Sequence, residues 1–130
     1  MNRITALTLA VLALSSCGPQ ENYSGAIAAA VPASESIKSQ IVQDARNLLL
    51  DPYSVRDAEI SYVATFSNGT QGVCVRANTK NALGGYIGRQ SMAITIRNGR
   101  LTGNIVNHPL CSRPDIKWQP FKQLEALKNL

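Results

Sequence analysis

Few side chains in this sequence are suited to chemistry, and their spacing narrows the choice further. There are three cysteines, Cys17, Cys74 and Cys111, and one histidine, His108. A zinc site draws on thiolates and imidazoles at short, paired spacings such as Cys-x-x-Cys. These cysteines are far apart, so no metal set forms, and no cofactor is expected. His108 precedes a proline and reads as a loop surface residue. No Ser-His-Asp set is evident around it. Asp51, Asp57 and Glu59 lie close together, and a glycosidase needs two such acids across a sugar. Asp51 and Asp57 fit a turn and the start of a strand better. An enzyme is therefore not expected, and a hydrolase is the weakest reading.

The remaining candidate is Val73 to Gln90, a strand that runs into a loop holding Gly84, Gly85 and Gly88. A phosphate-binding P-loop ends in Gly-Lys-Ser/Thr; this loop ends Gly88-Arg89-Gln90. A dinucleotide fingerprint needs a helix and a parallel strand after it, but an alternating strand follows here. Gly85-Tyr86-Ile87-Gly88 matches the GxxG of an RNA-binding KH domain, yet no helix pair flanks it. Two readings stay open. In one, the glycines serve positive φ or close backbone approach at a sheet corner. In the other, Lys80, Asn81, Tyr86 and Arg89 form a partner-binding loop with Tyr86 as an exposed, amphipathic anchor. About ten residues join the two strands here, where two to five suffice.

The amino terminus carries its own signal. Met1-Asn2-Arg3, the apolar run Ile4 to Leu14, and Ser15-Ser16-Cys17 have the layout of a secretory leader. The run is too short to span a bilayer. Leu14-Ser15-Ser16-Cys17 resembles the lipobox of bacterial lipoproteins. The resemblance implies a signal peptide over 1–16 and acyl chains, palmitate among them, on Cys17. An ordinary leader with a chance cysteine is the alternative. Several acyl chains hold a protein on a membrane durably, at about 0.8 kcal/mol per buried methylene. Gly18 after the cysteine implies the outer membrane, facing the periplasm. Residues 17–33 read as the lipidated cysteine and a flexible tether, spanning roughly 20–25 Å as a coil.

Residues 34–130 read as one globular domain. Ser34-Glu35-Ser36 offers a helix cap, and Ile37, Ile41, Val42, Ala45, Leu48 and Leu49 recur at helical spacing until Pro52. Asn68-Gly69 and Asn98-Gly99 are hairpin signals. Two-residue turns there set Ala64 against Val73, Ile60 against Ala77, Ile96 against Leu101 and Ile94 against Gly103. The expected fold is α+β: a helix on one face of a four-stranded antiparallel meander. Phe121, Leu124 and Leu127 add a short apolar stripe within Trp118–Leu130, read as a C-terminal helix after Pro120.

Once Cys17 is acylated, Cys74 and Cys111 remain in an oxidising compartment and are expected to pair; two free thiols are the alternative. The net charge is +5, or +4 (5 − 1) once Arg3 leaves with the leader. The basic residues are spread along the chain, with no clustered footprint for nucleic acid.

Leu50-Asp51-Pro52-Tyr53-Ser54-Val55-Arg56, Val73-Cys74-Val75, Asn78-x-Lys80-Asn81 and Gly84-Gly85-Tyr86-x-Gly88 together resemble a family of short bacterial envelope proteins and lipoproteins of unknown function. The resemblance covers roughly residues 48–97 and implies no activity. Family members commonly carry an aromatic residue where this chain has Leu83. The expected function is a lipid-anchored, non-enzymatic binding or adaptor module with an envelope protein partner. A small inhibitor that inserts the glycine loop into another protein is the alternative.

Overall fold

A computed structural model describes residues 21–129; Cys17 and the 1–16 leader lie outside them. Two helices come first, α1 (Tyr23–Ala28) and α2 (Glu35–Leu48). Six strands follow: β1 (Arg56–Ser61), β2 (Ala64–Thr65), β3 (Gln71–Lys80), β4 (Tyr86–Arg97), β5 (Arg100–Val106) and β6 (Trp118–Pro120). A short helix, α3 (Lys122–Glu125), and a 3-10 turn over Ala126–Asn129 close the chain. The protein is α+β with a six-stranded antiparallel sheet in the order β5-β4-β3-β1-β6, and β2 also pairs with β3.

α2 starts where Ser34 Oγ accepts the Ile37 amide at 3.3 Å, with Glu35 in its first turn. Leu49 leaves helical geometry, just ahead of Pro52. The buried Ile37 and Ile41 face Val73, Val75, Ile94 and Ile96 on one sheet face. Phe121, Leu124 and Leu127 fill the same layer. Each such side chain contributes about 1.5–3 kcal/mol by leaving water.

The four-stranded meander is replaced by a longer, interrupted arrangement. Trp118–Pro120 forms a further strand that the expected fold lacks: Ser61 lies opposite Trp118 and Glu59 opposite Pro120. Proline fits there because β6 is an edge strand. The short helix expected after Pro120 begins at Lys122.

The first hairpin also departs from its expected register. Ala64 pairs with Gly72, and Ile60 pairs with Val75. The turn holds three residues, not two. Phe66 donates to the Thr70 carbonyl at 2.8 Å, and Gly69 donates back to Phe66 at 3.0 Å, with Gly69 at φ +81. That is a type I turn closed by a left-handed glycine. A further slip falls at Ser61–Val63. Ser61 Oγ accepts the Cys74 amide at 2.8 Å, and the Tyr62 amide turns away to the Lys117 carbonyl. The second hairpin keeps the two-residue turn, with Asn98 at φ +51 and Gly99 at +73. Arg97 faces Arg100 and Ile96 faces Leu101. One bulge at Thr102 then sets Thr95 against Gly103 and Ile94 against Asn104.

Residues 21–33 are not a free tether. Asn22 caps α1 through the Gly25 amide at 2.9 Å, and Ile27 is buried. Tyr23 meets Phe66 edge-on at 5.8 Å. Val31 and Val63 exchange backbone hydrogen bonds at 3.0 and 2.6 Å, and Glu21 accepts from Ser67. These holds are scattered single contacts around one buried isoleucine, which leaves no periodic pattern in the sequence.

Glu125 ties the last helix to the sheet. Its Oε1 accepts the Ala58 amide at 3.0 Å, and its Oε2 meets Lys122 Nζ at 3.2 Å. Burial pushes this carboxyl up, but the Ala58 amide, Lys122 and Lys128 together hold it below its ordinary value of 4.5. Its pKa is thus lower in the fold than in the unfolded chain. The stabilisation is complete above the unfolded value and is lost as pH falls through the folded one. Glu125→Gln is expected to flatten that acid-side loss of stability. Urea midpoints of parent and variant between neutral and acid pH provide the measurement.

Candidate functional site

The glycine loop is shorter and tighter than its composition suggests. β3 runs to Lys80 and β4 starts at Tyr86, so the connection is Asn81–Gly85, five residues rather than ten. Asn81 organises it. Its backbone amide donates to Gly85 O at 2.9 Å, and its Oδ1 accepts the amides of Leu83 at 3.0 Å and Gly85 at 3.1 Å. Gly84 and Gly88 take positive φ, +79 and +94; Gly85 does not. Leu83 stands at the tip, almost wholly exposed.

Tyr86 is half-buried, not the exposed anchor expected. Its hydroxyl donates to the Ser54 carbonyl at 2.8 Å, and the Arg56 guanidinium lies 3.5 Å from its ring centroid. Lys80 Nζ sits 5.7 Å from the same centroid. Ser54 Oγ accepts the Lys80 amide at 2.9 Å and donates to the Asp51 carbonyl at 2.7 Å. The Asp51-Pro52-Tyr53-Ser54 segment is therefore latched to the far end of the β3–β4 hairpin. Arg89 is drawn to Glu59, whose Oε2 also receives Arg76 at 2.5 Å. Arg76 in turn stacks on Trp118 at 4.0 Å. Lys80, Asn81, Tyr86 and Arg89 lie at one end of the sheet, and all four have contacts within the chain.

This latch gives a testable contrast. Tyr86→Phe removes one hydrogen bond and is expected to cost about 1 kcal/mol. Gly88→Ala places a Cβ at positive φ and is expected to cost about 1–2 kcal/mol. Gly85→Ala should be nearly silent, since its Cβ meets only Asn81 Oδ1 at 3.8 Å. Thermal melts of the three variants rank these effects.

The other groups suited to chemistry are also occupied. His108 Nδ1 accepts the Leu110 amide at 3.1 Å and caps the 3-10 turn Pro109–Ser112. Asp57 is a left-handed residue at the register shift in β1, beside Arg56 at 3.9 Å. Cys74 and Cys111 form a disulfide, with Cα atoms 5.7 Å apart. Among the described residues, no group of three His, Cys, Asp or Glu gathers to hold a metal ion. No helix there is long and apolar enough to cross a membrane.

Sequence reading missed an exposed apolar surface. An apolar groove of about 600 Å³ runs between the end of α2 and strands β4 and β5. Leu48, Leu50, Ile87, Met92 and Val106 line it, and all but Met92 are exposed. Leu48 ends the helical stripe and Leu50 follows just beyond it, where α2 stops before covering the sheet. β5 borders the groove and is an edge strand. The Asn107 amide donates to Ser91 O at 2.8 Å, which fixes the phase of the ladder. Alternation then turns the backbone of Ile105 and Gly103 toward β4 and that of Asn104 and Val106 outward. The outward Leu101 amide is met by Gln40 Oε1 at 3.3 Å. No hydrogen bond from another described residue reaches the outward groups of Asn104 or Val106. Comparison with family models, with curated proteins and with solved structures finds no match for this chain.

Proposed function

We propose that this chain is a lipid-anchored protein of the bacterial envelope that acts by contact. Its contact surface is the open edge of β5 with the apolar groove beside it, and the occupant is an extended strand of an envelope protein. The observation that carries this reading is the coincidence of two features at one lip. Asn104 and Val106 turn their backbone groups outward and their side chains into the groove. A strand hydrogen-bonded to them drops alternate side chains into the same groove, the usual division between backbone affinity and side-chain specificity in strand addition. The groups suited to catalysis are held in structural contacts, which favours binding over turnover. The anchor rests on Leu14-Ser15-Ser16-Cys17.

Tagged parent protein is expected to capture a stoichiometric partner from detergent-solubilised envelope, and Val106→Lys to lose it while melting normally. Capture that survives Val106→Lys overturns the contact surface. Cys17→Ser is expected to leave an unacylated precursor; membrane fractionation through an acyl group in that variant overturns the anchor. A second reading, the inhibitor, draws on Leu83, which projects from a loop braced by Asn81. Loss of capture on Leu83→Asp, with Val106→Lys unaffected, would favour it.

A further inference from the structure

We infer that the strand accepted by β5 is β5 of a second copy of this chain. This rests on the contact surface proposed above and names its occupant. Natural sheets blunt their edges with charge, proline, shortness or a cover. β6 at the opposite edge is three residues long and ends in Pro120. β5 has seven residues, and from Leu101 to Val106 it holds no charged residue and no proline. Gln40 covers only its start, bonding Gly99 O at 2.9 Å and the Leu101 amide. The bulge at Thr102 is the one other device present. Ile105 and Val106 are 58% and 57% exposed, and they lie on opposite faces of the sheet. Ile105 pairs with Ala93 on the disulfide side, and Val106 pairs with Met92 on the α2 side. A ligand in the groove would shield Val106 alone. A strand laid along the edge shields both.

The sequence of β5 is complementary to itself. An antiparallel pair of copies has a two-fold axis through the sheet, so side chains of facing residues share a side. The axis at Asn104 keeps the outward phase of Asn104 and Val106 and ends the paired stretch at the bulge. Asn104 then faces Asn104, Ile105 faces Gly103, and Val106 faces Thr102 of the second copy. Gly103 has nothing within 4 Å of the point where a Cβ would sit, so each Ile105 packs over an empty glycine. The two Asn104 amides, each donor and acceptor, pair on the axis and fix the register, as a single interfacial asparagine does in coiled coils. No like charges meet between residues 102 and 106. The two sheets become one.

The test uses the full-length protein in the envelope. Facing residues at the axis have Cα atoms about 5.5 Å apart, within disulfide range. Asn104→Cys is expected to give a dimer band on non-reducing gels after mild oxidation, and addition of Ile105→Asp to remove it. Light scattering of the detergent-extracted parent, corrected for bound detergent, is expected to give twice the chain mass. A monomeric parent together with no Asn104→Cys band overturns the proposal. A band from Ile105→Cys in place of Asn104→Cys overturns the register. If the parent is monomeric but Val106→Lys loses capture of a different protein, the second copy fails and the strand-accepting edge stands. If that capture is also unchanged, both fail.

Discussion

Replacing Cys111 by serine is expected to cost the domain about 4 kcal/mol, a large share of the roughly 5–15 kcal/mol by which a small protein is folded. The bridge joins positions 37 residues apart. In the unfolded chain it removes the entropy of a loop of that length, and the cost of about 4 kcal/mol follows from closing it. The bond also has a local task. Cys74 lies mid-strand in β3, and Cys111 lies in the turn Pro109–Ser112. Their bond pins residues 107–117 across the sheet face away from α2. Cys74→Ser and Cys111→Ser should behave alike, since either leaves the loop open. Urea unfolding of the parent with and without reductant gives the same comparison without mutation. A midpoint unchanged by reductant would show that the clip adds nothing to the folded state.

Phe121→Ala is expected to cost about 3–5 kcal/mol, the range for an aromatic side chain removed from a core that cannot collapse around the space. Phe121 is completely buried. It stands at the junction of β6 and α3, and its amide donates to Ala58 O at 2.8 Å. Ile60 and Leu127, also completely buried, belong to the same cluster. Phe121, Leu124 and Leu127 thus make this C-terminal segment part of the core, not an appendage. A fall in urea midpoint with an unchanged slope would mark lost stability in an intact fold. A loss under 1 kcal/mol would mean that the C-terminal segment is dispensable.

Legibility in the sequence followed the strength of local chemistry. Ser34 and the spacing of Ile37 and Ile41 describe α2, because capping and one apolar face are local properties. Asn98-Gly99 reads correctly, since both residues adopt the left-handed geometry that a two-residue turn demands. Asn68-Gly69 misleads, because the same dipeptide also closes a three-residue turn with only the glycine left-handed. Bulges at Thr102 and around Ser61 have no sequence mark; they arise where Ser61 and Thr102 satisfy backbone partners with their hydroxyls. β6 is only three residues long and was masked by the helical spacing of Phe121, Leu124 and Leu127. Of the loop residues, Lys80 and Tyr86 meet Ser54 and Arg89 meets Glu59, both of which lie elsewhere in sequence, while Asn81 braces its own loop. The groove is hidden in the sequence because Leu48 reads as the end of a core stripe and Leu50 as the residue where the helix stops. Only the place where α2 stops leaves them uncovered.

The seating of α1 sets a leash length. Glu21 is already held against Ser67, so only four peptide steps separate the folded body from Cys17. Fully extended, they reach roughly 14 Å. With Cys17 acylated, the domain then glides along the bilayer within about one headgroup layer and its own radius. Under the proposed acylation of Cys17, its search for a binding target would be two-dimensional, with neighbours in the same leaflet met at high effective concentration. On that proposal, a partner fixed away from the membrane would have to come to it to be met at all.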